Sequence, residues 1–388
     1  RLMDGTPPAL PEPAPRGLRA RFLAWRDRMI ARPAFQDWAA GFPLTRGIAR
    51  RRALELFDLT AGFVYSQVLH AVVELEIPER LAQSPQTTDQ IAAATGLAPE
   101  PAERLMAAAA SLGLVAQDGA HWRLGQLGAA LLGAPGVAEM IRHHALLYRD
   151  LSDPVALLRG ETAPELARYW GYVGGVRTNA LQPGETAPYT RLMAATQAMV
   201  SAEVLASYNF RRHRHHLDIG GGDGTFLRAV GAKARHLRLT LFDLPAVAAE
   251  AETRFADEGL ADRASARGGD FFADPLPEGA DLVSLVRVIY DHDDEAALRL
   301  LARARGVVAP GGRLLLAEPM AETPGAPRVG DAYFGFYIMA MTHGRPRSAA
   351  RLSAMLTEAG FHNIRTHRTR RPFLTGLLSA EPVRQGGS

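Results

Sequence analysis

The stretch Asp218-Ile219-Gly220-Gly221-Gly222-Asp223-Gly224 decides the fold of this chain. It ends an apolar run that begins at His216, and a helical segment opens at Thr225. A strand that closes in glycines and turns directly into a helix is the first unit of an α/β sheet. Glycine there lets the backbone turn sharply and come close to a ligand, and the helix N-terminus offers unpaired N–H groups. Dinucleotide spacing would require glycine at 220, 222 and 225, but position 225 is Thr225. The pattern is acidic-x-Gly-x-Gly-x-Gly. An acidic residue beside the loop suits a ligand carrying an ammonium group better than a pyrophosphate.

Working downstream, short apolar segments alternate with helical ones. His216–Gly220, Leu237–Phe242, Asp281–Ile289 and Gly312–Glu318 are strand candidates, and the alternation implies a parallel sheet wrapped by helices. Asp243 ends the second strand, nineteen residues after Gly224, where an acidic side chain can accept from ribose hydroxyls. Gly269-Asp270-Phe271-Phe272 follows, with Asp270 placed to accept from an adenine amino group and Phe271 to cover the ring. Three such elements in order, at strand ends, match the S-adenosylmethionine (SAM) methyltransferase form. Asp218, Gly220, Gly222, Asp243, Leu244, Asp270, Phe271 and Arg287 form the expected cofactor-binding set.

Working upstream, the texture is helical. Residues 1–16 are proline-rich and are expected to be a disordered tail. Residues 17–41 read as an amphipathic helical segment broken by Pro33, and Arg50 to Leu81 as one or two helices burying Phe57, Leu59, Phe63, Val64, Leu69, Val72 and Val73. Thr87 to Thr95, stopped by Gly96, and Pro99 to Leu112, stopped by Gly113, precede two strands turning at Asp118-Gly119. That is a winged-helix pattern. Its second helix carries one arginine and an alanine run, a poor surface for phosphates, so no nucleic-acid partner is expected and packing or dimerisation is. Met140 to Leu158 and Thr190 to Tyr208 are further helices, with an irregular stretch around Tyr169, Trp170 and Tyr172 between them. The domain boundary falls near 185, giving a helical N-terminal dimerisation domain over 17–184 and a Rossmann-like α/β domain over 185–388.

Composition narrows the chemistry. There are no cysteines among 388 residues, which excludes disulfides, cysteine-bound zinc and a thiol nucleophile. Net charge is +3, and the basic excess is local: ten arginines lie between Pro11 and Arg52 against Glu12, Asp27 and Asp37. Such a segment can meet nucleic acid, an anionic membrane surface or only water. For residues 17–41, packing on the same protein or on a dimer partner is the first reading, with a membrane surface second. No signal peptide and no uninterrupted apolar span is legible, so a cytoplasmic protein with possible peripheral membrane contact is expected.

Residues 185–385, with the winged-helix lobe, resemble the O-methyltransferases that include the plant caffeate and isoflavone enzymes and acetylserotonin methyltransferase. Phe35-Gln36-Asp37-Trp38, Phe42-Pro43-Leu44-Thr45-Arg46, the run from Arg50 to Leu59, Gly62-Phe63-Val64-Tyr65-Ser66-Gln67 and Tyr333-Phe334-Gly335-Phe336-Tyr337 resemble more closely the carotenoid O-methyltransferases of purple photosynthetic bacteria. The resemblance implies SAM as cofactor, a homodimer, and methylation of the tertiary C-1 hydroxyl of an acyclic hydroxycarotenoid. A bacteriochlorophyllide C-20 methyltransferase, a methyltransferase of another small aromatic or polyketide acceptor, and a SAM-binding regulator are the competing readings.

In the wider family a strand leads into Arg-Val-Leu-His-Asp-Trp, whose His is the general base. Here the segment is Arg287-Val288-Ile289-Tyr290-Asp291-His292-Asp293-Asp294, with Tyr290 in place of that His. The flanking acid is kept as Glu318, whereas the usual glutamate of a later Gly-x-Glu-Arg-Thr turn is Pro346. Tyr290 is expected to orient the acceptor hydroxyl, with His292 or Glu318 receiving its proton. Asp293 and Asp294 read as helix-capping and first-turn charges rather than metal ligands, so no metal is expected. Met193, Met199, Phe334, Phe336 and Met339 are candidate pocket walls for an apolar substrate, with His143, His144, Tyr148 and Arg149 facing them from the N-terminal side.

Overall fold

The computed structural model describes residues 17–169 and 183–383. The proline-rich tail and the stretch around Trp170 and Tyr172 lie outside the described residues. So does the side chain of Met193.

The C-terminal half is built on a seven-stranded sheet. Numbered within that sheet, its strands are β1 (His215–Ile219), β2 (Arg238–Asp243), β3 (Ala264–Gly268), β4 (Ala280–Val286), β5 (Val308–Glu318), β6 (Phe361–His367) and β7 (Gly376–Pro382). Their order across the sheet is β3-β2-β1-β4-β5-β7-β6. The first five run parallel, and β7 is antiparallel to both of its neighbours. β1 is buried along its whole length, as a central parallel strand covered on both faces must be. The chain leaves β1 toward β2 and β3, then returns to β4 on the other side. That reversal opens a crevice at the C-terminal ends of β1 and β4, where α/β folds bind ligands. β3, β6 and β7 were not legible as strands. β3 is polar and partly exposed, and β6 alternates polar residues as an edge strand does.

In the N-terminal lobe, Thr87 caps the helix Thr88–Thr95 through a reciprocal capping box with Gln90, and Gly96 closes it at φ 72°. The wing strands Val115–Asp118 and His121–Leu124 pair as expected, and Gln86–Thr87 adds a third strand to them. Pro33 starts the helix Pro33–Gly41 rather than merely ending Leu18–Ile30.

One expectation fails clearly. The helix Arg46–Glu74 buries only Val72 and Val73. Phe57, Leu59 and Phe63 are 60%, 67% and 70% exposed, and Val64 is exposed too. The apolar residues are there, but the helix extends beyond the body of its own chain, so its face has nothing within the protomer to pack on. Several bulky groups on the preceding helices, among them Phe22, Trp25 and Trp38, are also exposed. By length and composition Arg46–Glu74 is also apolar enough to cross a bilayer, a feature the charge at its N-terminal half hides in the sequence.

The two halves meet through the helix Pro183–Ser207, which packs on both the helix Pro135–Asp150 of the N-terminal lobe and the helix Thr225–Lys233 that follows β1. The helix Gly335–Ala340 packs on the helices Pro135–Asp150, Pro154–Leu158 and Glu165–Tyr169 of the N-terminal lobe.

Candidate active site

The glycine loop leaves β1 with Gly220, Gly222 and Gly224 all in the left-handed region, at φ 71°, 59° and 78°. Only glycine adopts this run without strain. At Gly220 a Cβ would come within 2.8 Å of Val288, and at Gly224 within 2.8 Å of Phe255, so these two positions are sterically closed. At Gly222 an added Cβ would meet nothing within 4 Å. The loop is therefore packed on its inner side and open at Gly222.

Beneath the loop, Asp218 is almost fully buried. Its Oδ1 accepts a hydrogen bond from Ser284 of β4 at 2.5 Å, and Ser284 in turn lies 2.7 Å from His216 Nε2. Its Oδ2 is buried with no hydrogen-bond partner among the described residues. Burial pushes the Asp218 carboxyl up from 3.8 to about 7, against the Ser284 hydrogen bond. A buried acceptor without a donor is costly unless a ligand supplies one, and an ammonium group is such a donor. At the end of β2, Asp243 holds the loop from the other side: Oδ2 accepts from the Gly222 N–H at 2.8 Å and Oδ1 from the Leu244 N–H at 2.7 Å. Each oxygen keeps a lone pair for a ribose hydroxyl. Asp270 is exposed, and its Oδ1 accepts from the Phe272 N–H. Phe271 lies 3.7 Å from the place a Gly220 Cβ would occupy. The residues present thus fit SAM: an unpartnered carboxylate oxygen for the ammonium, an open glycine, a strand-end aspartate and an aromatic ring beside the loop.

His292 belongs to this side. Its ring packs edge-on against Phe271 and Phe272, at 5.7 and 5.2 Å between centroids. Burial, helped by the nearby Arg347 charge, lowers its pKa to about 4 and keeps it neutral.

The acceptor side is assembled differently. Tyr290 is buried in an apolar cluster with Leu147, Leu157, Leu166, Leu192, Tyr337 and Ile338, and Phe334 and Met339 pack on it. Burial raises its hydroxyl above the ordinary value, with a further push from Asp291 and a partly opposing hydrogen bond from Arg287. Arg287 sits just after β4 in the left-handed region, at φ 58°. Its guanidinium donates to Thr196 Oγ1 at 3.0 Å, so it is aimed at the helix Pro183–Ser207 and Tyr290. Glu318 ends β5, 1% exposed, and its Oε1 accepts from the N–H groups of Val288 (3.0 Å) and Ile289 (2.8 Å). Burial raises its carboxyl to about 7 against those hydrogen bonds.

Two histidines reach across from the helix Pro135–Asp150. His143 Nε2 lies 2.8 Å from the Tyr337 hydroxyl, and His144 Nε2 2.8 Å from that of Tyr333. Burial lowers both to about 4, so both are neutral near pH 7. Tyr148 packs edge-on against His144, whereas Arg149 points outward to Glu165. Met199 packs against Gly136, and Phe336 stands exposed on the helix Gly335–Ala340.

Arg347 was invisible in the sequence. It is 4% exposed and ties the catalytic segment down from outside: Nε donates to Asp294 Oδ1 (2.8 Å), Nη1 to the Ile289 carbonyl (3.0 Å) and Nη2 to the His292 carbonyl (2.7 Å). Gly344 packs against the same backbone, where a Cβ would lie 2.1 Å from the Tyr290 carbonyl oxygen. Asp293 caps the helix Asp294–Val307 through the Ala296 N–H at 2.8 Å. Burial works against ionisation of Asp294, but hydrogen bonds from Arg351 and Arg347 hold it down at about 2. The only hint in sequence was the arginine density from Arg345 to Arg351.

Residues 148–362 match the family model of the O-methyltransferase domain, and residues 57–134 match the O-methyltransferase dimerisation domain. The chain is 45% identical over 374 residues to demethylspheroidene O-methyltransferase of Cereibacter sphaeroides, covering 96% of this chain and 98% of that one. It is 31% identical to mouse acetylserotonin O-methyltransferase, over 82% of this chain and 86% of the other. Among solved structures, human N-acetylserotonin methyltransferase in complex with SAM superposes with a TM-score of 0.69 at 25% identity, covering 86% of this chain and 98% of that one. The mitomycin 7-O-methyltransferase does so at 0.71 and 27% identity, covering 87% and 100%.

Proposed function

We propose a carotenoid acceptor for this chain, which belongs to the SAM-dependent O-methyltransferase family: the tertiary C-1 hydroxyl of an acyclic hydroxycarotenoid. The observation that carries the reading is the 45% identity to a demethylspheroidene O-methyltransferase over nearly the whole of both chains. The apolar cluster around Tyr290 supports it, because a polyene offers almost nothing to hydrogen-bond beyond one hydroxyl. SAM supplies the methyl group, on a sulfonium whose charge disappears in the reaction. Asp218 would hold its ammonium, Asp243 its ribose, with Asp270, Phe271 and Leu244 around the adenine. Tyr290, tied by Arg287, would orient the acceptor oxygen. The dry, apolar surroundings favour loss of charge, and alignment of the oxygen behind the methyl carbon accounts for several kcal/mol of the barrier. His292, packed on Phe271, then serves as a wall, and the proton goes to the Glu318 side.

The experiment is incubation with labelled SAM and separate panels of 1-hydroxycarotenoids, bacteriochlorophyllides and phenols. Label is expected in the 1-hydroxycarotenoids, and label in phenols or tetrapyrroles alone refutes the reading.

The dimerisation domain supports a homodimer, and the exposed face of Arg46–Glu74 is the surface it would cover. The same reading makes the enzyme cytoplasmic, meeting the membrane where its acceptor dissolves. The observation behind that contact is the helix Leu18–Ile30, which buries no residue and presents Phe22 and Trp25 beside Arg19, Arg21, Arg26 and Arg28. Deleting residues 1–41 should lower co-sedimentation with anionic liposomes at low salt, and unchanged binding refutes the contact.

A further inference from the structure

We propose that Ser284 and His216 are positioning residues for the cofactor, forming a buried relay that keeps Asp218 ionised beneath the glycine loop. The inference deepens the reading above and rests on its assignment of Asp218 to the SAM ammonium.

The sheet register brings the three side chains together. His216 and Asp218 are two apart on β1 and share one face, and Ser284 of β4 is the register partner of Asp218. That face is otherwise apolar: Leu282 and Val286 flank Ser284, and Phe210, Phe226 and Val230 belong to the same cluster. A hydroxyl, an imidazole and a carboxyl, all fully buried, are costly in such a layer unless they bond to one another. They do, at 2.7 Å from His216 Nε2 to Ser284 Oγ and 2.5 Å from Oγ to Asp218 Oδ1.

The bonds run in one direction. Burial lowers His216 to about 3, so its ring is neutral and carries one N–H. Phe210 and Phe226 pack on that ring, at 5.9 and 5.8 Å between centroids, and Nδ1 has no partner among the described residues. An ionised Asp218 can only accept, so the Ser284 O–H points to Oδ1 and Oγ is left to accept from Nε2–H. Placing the single N–H on Nε2 also avoids a buried, orphaned N–H at Nδ1. Each donor polarises the next, and both bonds favour the carboxylate over the carboxylic acid.

Oδ2 is the end of the relay left open. It lies directly beneath the loop, where a Cβ on Gly221 would come within 2.7 Å of it. Burial works against the charge on Asp218, Ser284 works for it, and the neighbouring Asp243 charge opposes it again, which leaves the carboxyl at about 7. The other titratable groups facing the relay are His213 and His215, next to His216, and burial lowers both. Asp218 is thus balanced near neutrality, and Ser284 tips it toward the form that an ammonium needs.

The test is calorimetric titration of SAM, without acceptor, into wild type, Ser284→Ala, His216→Phe and Asp218→Asn at pH 6, 7 and 8. Losing the Ser284 hydroxyl should raise the Asp218 carboxyl by about one unit. A proton then competes more strongly with the ammonium. Ser284→Ala should therefore bind SAM about tenfold more weakly than wild type at pH 6 and only about twofold more weakly at pH 8. Titration of the amino group of SAM is common to both proteins and cancels in the ratio. His216→Phe refills the same apolar space and should show the same trend, about threefold at pH 6; it carries the test by itself if Ser284→Ala does not fold. A penalty equal at pH 6 and pH 8 marks a purely structural serine and overturns the proposal, as does wild-type affinity at pH 6. Asp218→Asn separates the underlying reading. Wild-type SAM affinity in that variant at pH 8 sinks the ammonium role and the relay with it, whereas lost affinity there beside a flat Ser284→Ala penalty sinks the relay alone.

Discussion

The cofactor side and the acceptor side of this cleft are built on opposite plans. On the cofactor side, side chains hold backbone at strand ends, Asp243 to Gly222 and Leu244 and Asp270 to Phe272, with the Asp218–Ser284–His216 side-chain contacts beneath the loop. On the acceptor side, side chains bond to side chains far away in sequence: His143 to Tyr337, His144 to Tyr333, Arg287 to Thr196. The first plan makes a rigid cradle from one sheet edge. The second makes a pocket that exists only when the N-terminal lobe is seated on the sheet domain. On the roles proposed above, binding of a common cofactor and choice of acceptor would be carried by different parts of the molecule.

The hardest way to break the contrast is at Arg347, which holds the segment both sides share. Arg347→Ala leaves the Ile289 and His292 carbonyls without their buried donor, while Asp294 keeps Arg345 and Arg351. It should destabilise the chain by about 1–3 kcal/mol for each orphaned carbonyl, seen as a lower midpoint in urea unfolding. Arg347→Lys should recover only part, since one ammonium cannot serve three acceptors in that geometry.

Asp218→Asn tests the cradle alone. It should weaken SAM binding by about 1.5–3 kcal/mol, the worth of a hydrogen bond to a charged group, measured by calorimetry at pH 8, with acceptor KM little changed. Its pH dependence has a defined sign. The Asp218 carboxyl is raised from 3.8 to about 7, so between those values the folded chain holds a proton that the unfolded chain has lost. Stability from this group is greatest at low pH and declines as pH rises through that window. The ligand-free variant should therefore gain in Tm relative to wild type between pH 5 and pH 8.

Tyr333→Phe probes the long-range plan with the smallest change. It removes one hydroxyl from His144, worth about 1 kcal/mol. It should reduce kcat/KM for the acceptor about fivefold while leaving SAM affinity untouched. A matching loss of SAM affinity would show that the two sides are not separable.

The same contrast explains what the sequence disclosed. The loop, Asp243 and Phe271 were legible because local rules place them: glycines after a strand, an acid at the next strand end, an aromatic after the third. The sheet's central strands were legible from apolar runs, whereas β3 and β6 hide because they are polar at an edge or near one. Arg347 and the histidine–tyrosine pairs obey no local rule. His144 and Tyr333 are 189 residues apart, and nothing near either one announces the other. Arg46–Glu74 misled for a related reason: periodicity says which side is apolar, not whether the same chain covers it.

The open glycine and the unpartnered Asp218 oxygen also bear on turnover. On the roles proposed above, the contacts of this side would be to parts of the cofactor that survive methyl transfer unchanged: ammonium, ribose, adenine. Interactions of that kind hold spent and fresh cofactor alike and do nothing to distinguish them. An enzyme so built should be throttled by its own by-product, and its pace in the cell would follow the ratio of charged to spent cofactor rather than the supply of either.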